Sequence, residues 1–209
     1  MRKICSQPSP RPRSACASAP KAAIPARMLS FTAAGRGRPS VRIHSPDPET
    51  TRDLAASLAA AIDEEGLVVA LVGSLGAGKT TFAKGLARGL GIDPDRVSSP
   101  TFVIASQYDA PAGRLFAHVD LYRLENAAEL DAVGFLDLLE PGALVAVEWG
   151  DRFPGALPSD HLRVEFERAT PGCAHFPDEA QRVLNALAFG PVSKAALAGW
   201  EDALSASGG

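Results

Sequence analysis

Residues Gly73-Ser-Leu-Gly-Ala-Gly-Lys79-Thr80 fit the P-loop pattern G-x-x-x-x-G-K-[ST], and no other stretch of this 209-residue chain restricts its fold as tightly. The restriction is geometrical. Such a loop needs a buried strand running into it and a helix starting from it. Glycines permit the tight turn that aims successive N–H groups at phosphate oxygens, and the helix start adds its own free N–H groups and dipole. The flanks agree. Leu67–Val72 is a continuous apolar run, as in a strand covered on both faces of a parallel sheet. Downstream, Phe82, Leu86 and Leu90 recur at helical spacing, with Lys84 and Arg88 off that stripe. The candidate nucleotide-binding set is therefore Gly73, Ser74, Leu75, Gly76, Ala77, Gly78, Lys79, Thr80 and Thr81. Lys79 would place an ammonium on the β- and γ-phosphates, and the Thr80 hydroxyl would bind magnesium.

The rest of the chain reads as an α/β fold of the three-layer P-loop kind, with a mixed parallel and antiparallel sheet flanked by helices. Val41–Ser45 reads as a short edge strand. Asp47 then has the character of an N-cap with Pro48 at the first helical position, and Leu54, Leu58, Ala61 and Ile62 supply an apolar helix face that Gly66 closes. Further strands are expected at Phe102–Tyr108, Arg114–Leu121, Ala143–Glu148 and His161–Arg168. Asn126-Ala-Ala-Glu129 has capping-box spacing for a helix reaching about Leu139. From Asp178 onward the pattern is helical, including Leu197, Trp200 and Leu204. Three regions follow: a disordered basic leader over 1–39, a P-loop domain over 40–170, and a helical tail over 171–209.

Nine of the 21 Lys and Arg residues precede Asp47, the first acidic residue, which leaves 12 basic against 24 acidic residues in the remainder. An acidic body is a poor binder of nucleic acid, because phosphate neutralisation carries most of that affinity; any RNA in this chain's function is held by a partner. The Arg- and Ser-rich leader resembles an organellar transit peptide, or else marks a start placed too far upstream, with Met28 as the alternative first residue. Cys5, Cys16 and Cys173 have no metal or redox spacing, which suits a reduced compartment such as the cytoplasm. No apolar run approaches the ~18 residues of a membrane span.

A P-loop needs groups that complete the magnesium shell and position the attacking water. Two carboxylates stand at the ends of apolar runs, Asp120 after Leu115–Val119 and Glu148 after Ala143–Val147. Either alone could be a salt bridge or a helix cap; two beside a P-loop favour chemistry. Ser98-Ser-Pro-Thr101-Phe102 offers a hydroxyl at Thr101 just before a strand, either as a switch sensing phosphate or as an ordinary turn. His118 alternates onto the same strand face as Asp120 and reads as a packed, hydrogen-bonded histidine; Trp149 reads as core packing or as a cover for nucleotide or partner.

Together, Gly73–Phe82, Ser99-Pro-Thr-Phe102, His118-Val-Asp-Leu-Tyr-Arg-Leu124 and Val147-Glu-Trp149 resemble, in order and spacing, the TsaE family, also called YjeE. The resemblance spans about residues 41 to 170. It implies an ATPase of bacterial threonylcarbamoyladenosine synthesis at adenosine 37 of tRNAs reading codons that begin with A. It also implies ATP and Mg2+ as cofactors and a TsaD–TsaB heterodimer as partner, with tRNA met only through that complex. Carried onto this sequence, Lys79 binds phosphates, Thr80 and Glu148 hold magnesium, Asp120 supports hydrolysis, and Thr101 belongs to the switch-like segment. One departure is Ser74, where the family usually has Asp. A small-molecule kinase is disfavoured, since no compact Arg-rich lid follows the core strands; a nucleotide-gated adaptor is the other alternative. No guanine-reading Asn/Thr-Lys-x-Asp signature is present, which favours ATP.

Overall fold

The computed structural model describes residues 29–31, 38–100, 104–132, 134–168 and 181–206. Eight strands form one sheet: β1 (Leu29–Phe31), β2 (Ser40–Ser45), β3 (Leu67–Val72), β4 (Ala105–Asp109), β5 (Leu115–Asp120), β6 (Leu144–Glu148), β7 (Leu162–Arg168) and β8 (Arg182–Ala188). Their spatial order is β1-β2-β8-β7-β3-β6-β5-β4. The inner strands β7, β3, β6 and β5 run parallel, and every outer pairing is antiparallel. Four helices accompany the sheet: α1 (Pro48–Ala61), α2 (Lys79–Gly89), α3 (Ala127–Ala132) and α4 (Pro191–Ala206).

Helices α1, α2 and α4 cover one face. Leu54, Leu58, Phe82, Leu86, Leu197 and Trp200 pack there on Val69, Leu71, Leu144 and Val164. The opposite face is covered more thinly. Leu130, Phe135 and Leu138, from α3 and the turns after it, lie over Val119, Val145 and Val147. Over β7 and β8 this second face is polar, with an Arg163–Glu165 ion pair and an Asn185–Glu167 hydrogen bond. An antiparallel flank can leave one face to water, whereas the parallel centre cannot. The burial of β3 on both faces follows from its central place.

Local chemistry sets the element ends. Asp47 caps α1 by accepting from the Thr50 amide at 2.7 Å, with Pro48 at the first position, as the sequence predicts. The helix stops at Ala61, and Gly66 serves the turn into β3 at φ 77°. The helix predicted over 126–139 is real only to Ala132; Gly134 turns the chain at φ 68°, and Leu136–Leu138 is a separate 3-10 turn. Strand β2 is not an edge, because β1, at residues 29–31 within the stretch read as leader, pairs outside it. Residues 1–28 and 32–37 lie outside the described set.

Among the described residues of the tail, the helical reading holds for α4. Arg182–Ala188 is a strand inserted between β2 and β7, with Leu184, Ala186 and Ala188 facing the helical layer. Short apolar runs do not distinguish helix from strand by periodicity, and here two open strand edges decide it.

Candidate nucleotide-binding site

The P-loop joins the end of β3 to the start of α2, with Gly76 at φ 72° and Gly78 at φ 109°, angles that a side-chain-bearing residue rarely adopts. Helix α2 has no side-chain cap, since its N-cap is Gly78, and its first turn carries no acidic residue. Its leading N–H groups are therefore left for an anion. The cleft in front of them has a volume of about 580 Å³ and is walled by residues 75–81, Ser99, Pro100, Asp120, Glu148 and Trp149. Leu75 stands at the loop tip, 74% exposed. Ser74 is exposed too and contributes through its backbone: its carbonyl accepts from the Ala77 amide and from Lys79.

Lys79 is buried. Its ammonium donates to the carbonyls of Gly73 at 2.8 Å and Ser74 at 2.9 Å, and lies 3.9 Å from the centroid of the Trp149 ring. Burial lowers the Lys79 pKa, against the opposing pull of Glu148, Asp120 and Asp151. Trp149 is the only described non-glycine residue at positive φ, 60°, and its ring also meets Tyr122 at 5.0 Å. Strained backbone of this kind gathers at functional sites. Trp149 thus packs on the second core and lines the cleft at once.

The two carboxylates meet where β5 and β6 pair. Asp120 stands directly opposite Glu148 in the parallel register, an arrangement of like charges that is unfavourable unless donors or cations surround it. Donors do surround it. Thr80 Oγ1 donates to Glu148 Oε1 at 2.7 Å, and His118 Nε2 lies 2.9 Å from the same oxygen. Asp120 accepts from Ser99 Oγ and from the Tyr122 amide, both at 3.0 Å. Lys79, Thr80, Asp120 and Glu148 are therefore brought together, while Thr101 lies outside the described residues.

Two contacts escaped the sequence reading. Arg182, at the start of β8, donates to the P-loop carbonyls of Ala77 at 2.9 Å and Gly76 at 3.2 Å. Arg152 donates to the carbonyls of Tyr122 and Leu124, holding the chain just after Asp120. Neither carries a motif signal; only the tertiary fold closes these separations.

Oxygen donors on Thr80 and Glu148 suit magnesium. Among the described residues no group of three or more His, Cys, Asp or Glu could hold a metal ion by itself. Magnesium in nucleotide sites commonly takes one or two protein ligands together with substrate phosphates and water.

Strand, P-loop, uncapped helix and flanking carboxylates define a P-loop nucleotide-binding protein of the α/β class. Residues 45–174 match the sequence model of the family described as threonylcarbamoyl adenosine biosynthesis protein TsaE, and the chain belongs to that family. It is 40% identical over 123 residues to a Bacillus subtilis protein named tRNA threonylcarbamoyladenosine biosynthesis protein TsaE, covering 59% of this chain and 75% of the relative. A Streptomyces coelicolor protein of the same name is 38% identical over 133 residues, covering 63% and 86%. The crystal structure of Bacillus subtilis YdiB superposes with a TM-score of 0.59 at 30% identity, over 79% of this chain and 96% of that one.

Proposed function

We propose that this chain is the ATPase subunit needed to form the threonylcarbamoyl group on adenosine 37 of tRNAs reading codons that begin with A. In this reading ATP binding and hydrolysis reset a TsaD–TsaB heterodimer for repeated turnover. The observation that supports it most is the 2.7 Å contact between the P-loop hydroxyl of Thr80 and Glu148, with Asp120 abreast of that carboxylate. Lys79 and the loop amides bind the β- and γ-phosphates. Thr80 and Glu148 would hold Mg2+, which when bound would supply positive charge to the phosphate oxygens. Asp120, at the same cleft, supports hydrolysis, and Thr101 belongs to the switch-like segment that the family resemblance implies. The acidic body supports contact with tRNA through the partners only. No helix among the described residues is long and apolar enough to cross a membrane.

Glu148→Gln should cut Mg2+-dependent hydrolysis, measured with TsaD and TsaB homologues present, by ~100-fold while changing ATP affinity by less than about threefold. Equal losses in both would assign Glu148 a structural role. If tRNA modification cycled repeatedly with a non-hydrolysable ATP analogue, the ATPase reading would be wrong.

A further inference from the structure

His118 is fully buried on β5, between Phe116 and Asp120 on the face that meets α2. In the register it lies opposite Ala146, so Glu148 is its diagonal neighbour on β6, within reach of a long side chain. A carboxylate only accepts, so the 2.9 Å contact is His118 Nε2–H donating to Glu148 Oε1. The other ring nitrogen, Nδ1, is buried with no hydrogen-bond partner among the described residues. The hydrogen bond that this side chain makes among the described residues is directed at one carboxylate oxygen. Glu148 Oε1 receives two hydrogen bonds, from His118 and Thr80, while Oε2 receives none among the described residues.

These two donors differ in what else they must do. The Thr80 hydroxyl has a second duty as the P-loop's own metal ligand. His118 has no other hydrogen-bond partner among the described residues. Packing alone gives no reason for an imidazole here, since Phe116, two residues earlier on the same face, shows that an apolar ring fits this layer.

We propose that His118 is the positioning residue for Glu148: it fixes the carboxylate so that it is already placed for the metal of the bound nucleotide when the Thr80 hydroxyl is engaged. This rests on the nucleotide-and-magnesium reading above. Groups that orient a metal-binding side chain typically change metal affinity by about 10–100-fold when removed.

The test is ATP binding by calorimetry with the full chain, in EDTA and across a MgCl2 series, for wild type, His118→Leu and His118→Gln. Glutamine sets an amide N–H at the reach of Nε2; leucine sets none. The expected result for His118→Leu is a rise of about tenfold or more in the Mg2+ concentration giving half-maximal enhancement of ATP affinity. Its affinity in EDTA should be unchanged, and His118→Gln should stay within about threefold of wild type. Should the leucine variant not fold, His118→Asn replaces it, carrying the same amide one methylene too short to reach Glu148. The proposal is overturned if the donor-less variant needs no more Mg2+ than wild type. It is equally overturned if affinity falls alike in EDTA and Mg2+, or if glutamine fails to rescue. If wild-type ATP binding does not respond to Mg2+ at all, the magnesium reading itself falls, and this proposal with it.

Discussion

Lys79 is a buried ammonium whose hydrogen-bond partners are carbonyls of its own loop. Burial makes its charged form costlier than in the unfolded chain and lowers its pKa below the ordinary 10.5, although Glu148, Asp120 and Asp151 pull the other way. Two pH effects of opposite sign follow. Between the folded value and 10.5 the unfolded chain binds more protons, so this group's contribution to stability grows as pH rises. Phosphate binding needs the charge, so ATP affinity falls over the same window. Calorimetric ATP affinity should therefore drop on raising pH from neutrality towards 10.5. Lys79→Arg, which keeps its charge throughout, should bind more weakly but without that drop; an equal drop in both would place the titration elsewhere. Four residues that the fold brings to one cleft were legible in the sequence because each is marked locally. Lys79 and Thr80 sit in a motif with fixed spacing, and Asp120 and Glu148 end apolar runs. Arg182 was not legible, because nothing within its own neighbourhood reports that it will meet Gly76 and Ala77 across the fold.

Helix α2 carries the P-loop at its head, and its flank decides how closely it can lie on α1. Gly85 and Gly89 face that helix. A Cβ on Gly85 would stand 2.5 Å from the Arg52 carbonyl oxygen and 2.6 Å from Ala55 Cβ. Both obstacles belong to the α1 backbone or are fixed to it, so neither can swing aside. Alanine would gain ~1 kcal/mol in helix propensity, but overpacking costs ~1–3 kcal/mol, and the second effect should win. Gly85→Ala should lower the melting temperature by several degrees, at about 2–4 °C per kcal/mol for a domain of this size. A higher melting temperature would show that the helices separate freely. A shifted α2 also moves Lys79 and Thr80, so the same variant should bind ATP more weakly. Where capping and turn chemistry act locally, as at Asp47 or Gly134, element ends can be traced to residues. The close approach at Gly85 cannot, because a glycine in a helix looks like a defect until the neighbouring helix is in view.

Across the whole molecule, the least legible part was the end of the chain. The family match stops at residue 174, yet β8 lies between β2 and β7 and joins the outer strands to the parallel centre. Helix α4 then seals the helical layer, with Trp200 donating to the Leu54 carbonyl and packing edge-on against Phe82 of α2. The chain cut after residue 181 should lose its cooperative thermal transition, since β2 and β7 would each expose an unpaired edge. A truncated chain that melted cooperatively and bound ATP normally would show β8 and α4 to be an appendage. Sheet order is a non-local property, which is why the mixed sheet and most of its strands could be read from local pattern while the insertion of β8 between β2 and β7 could not. The pairing at the centre has one more consequence. Asp120 and Glu148, abreast on β5 and β6, set two like charges side by side, and the donors on Thr80, His118 and Ser99 are what the fold commits to offset them. Under the proposed function, a cation arriving with nucleotide would take over part of that offset and be held more tightly by what the fold had committed to it. Sturdiness of the free fold and grip on the ligand would then trade against each other at this pair of strands.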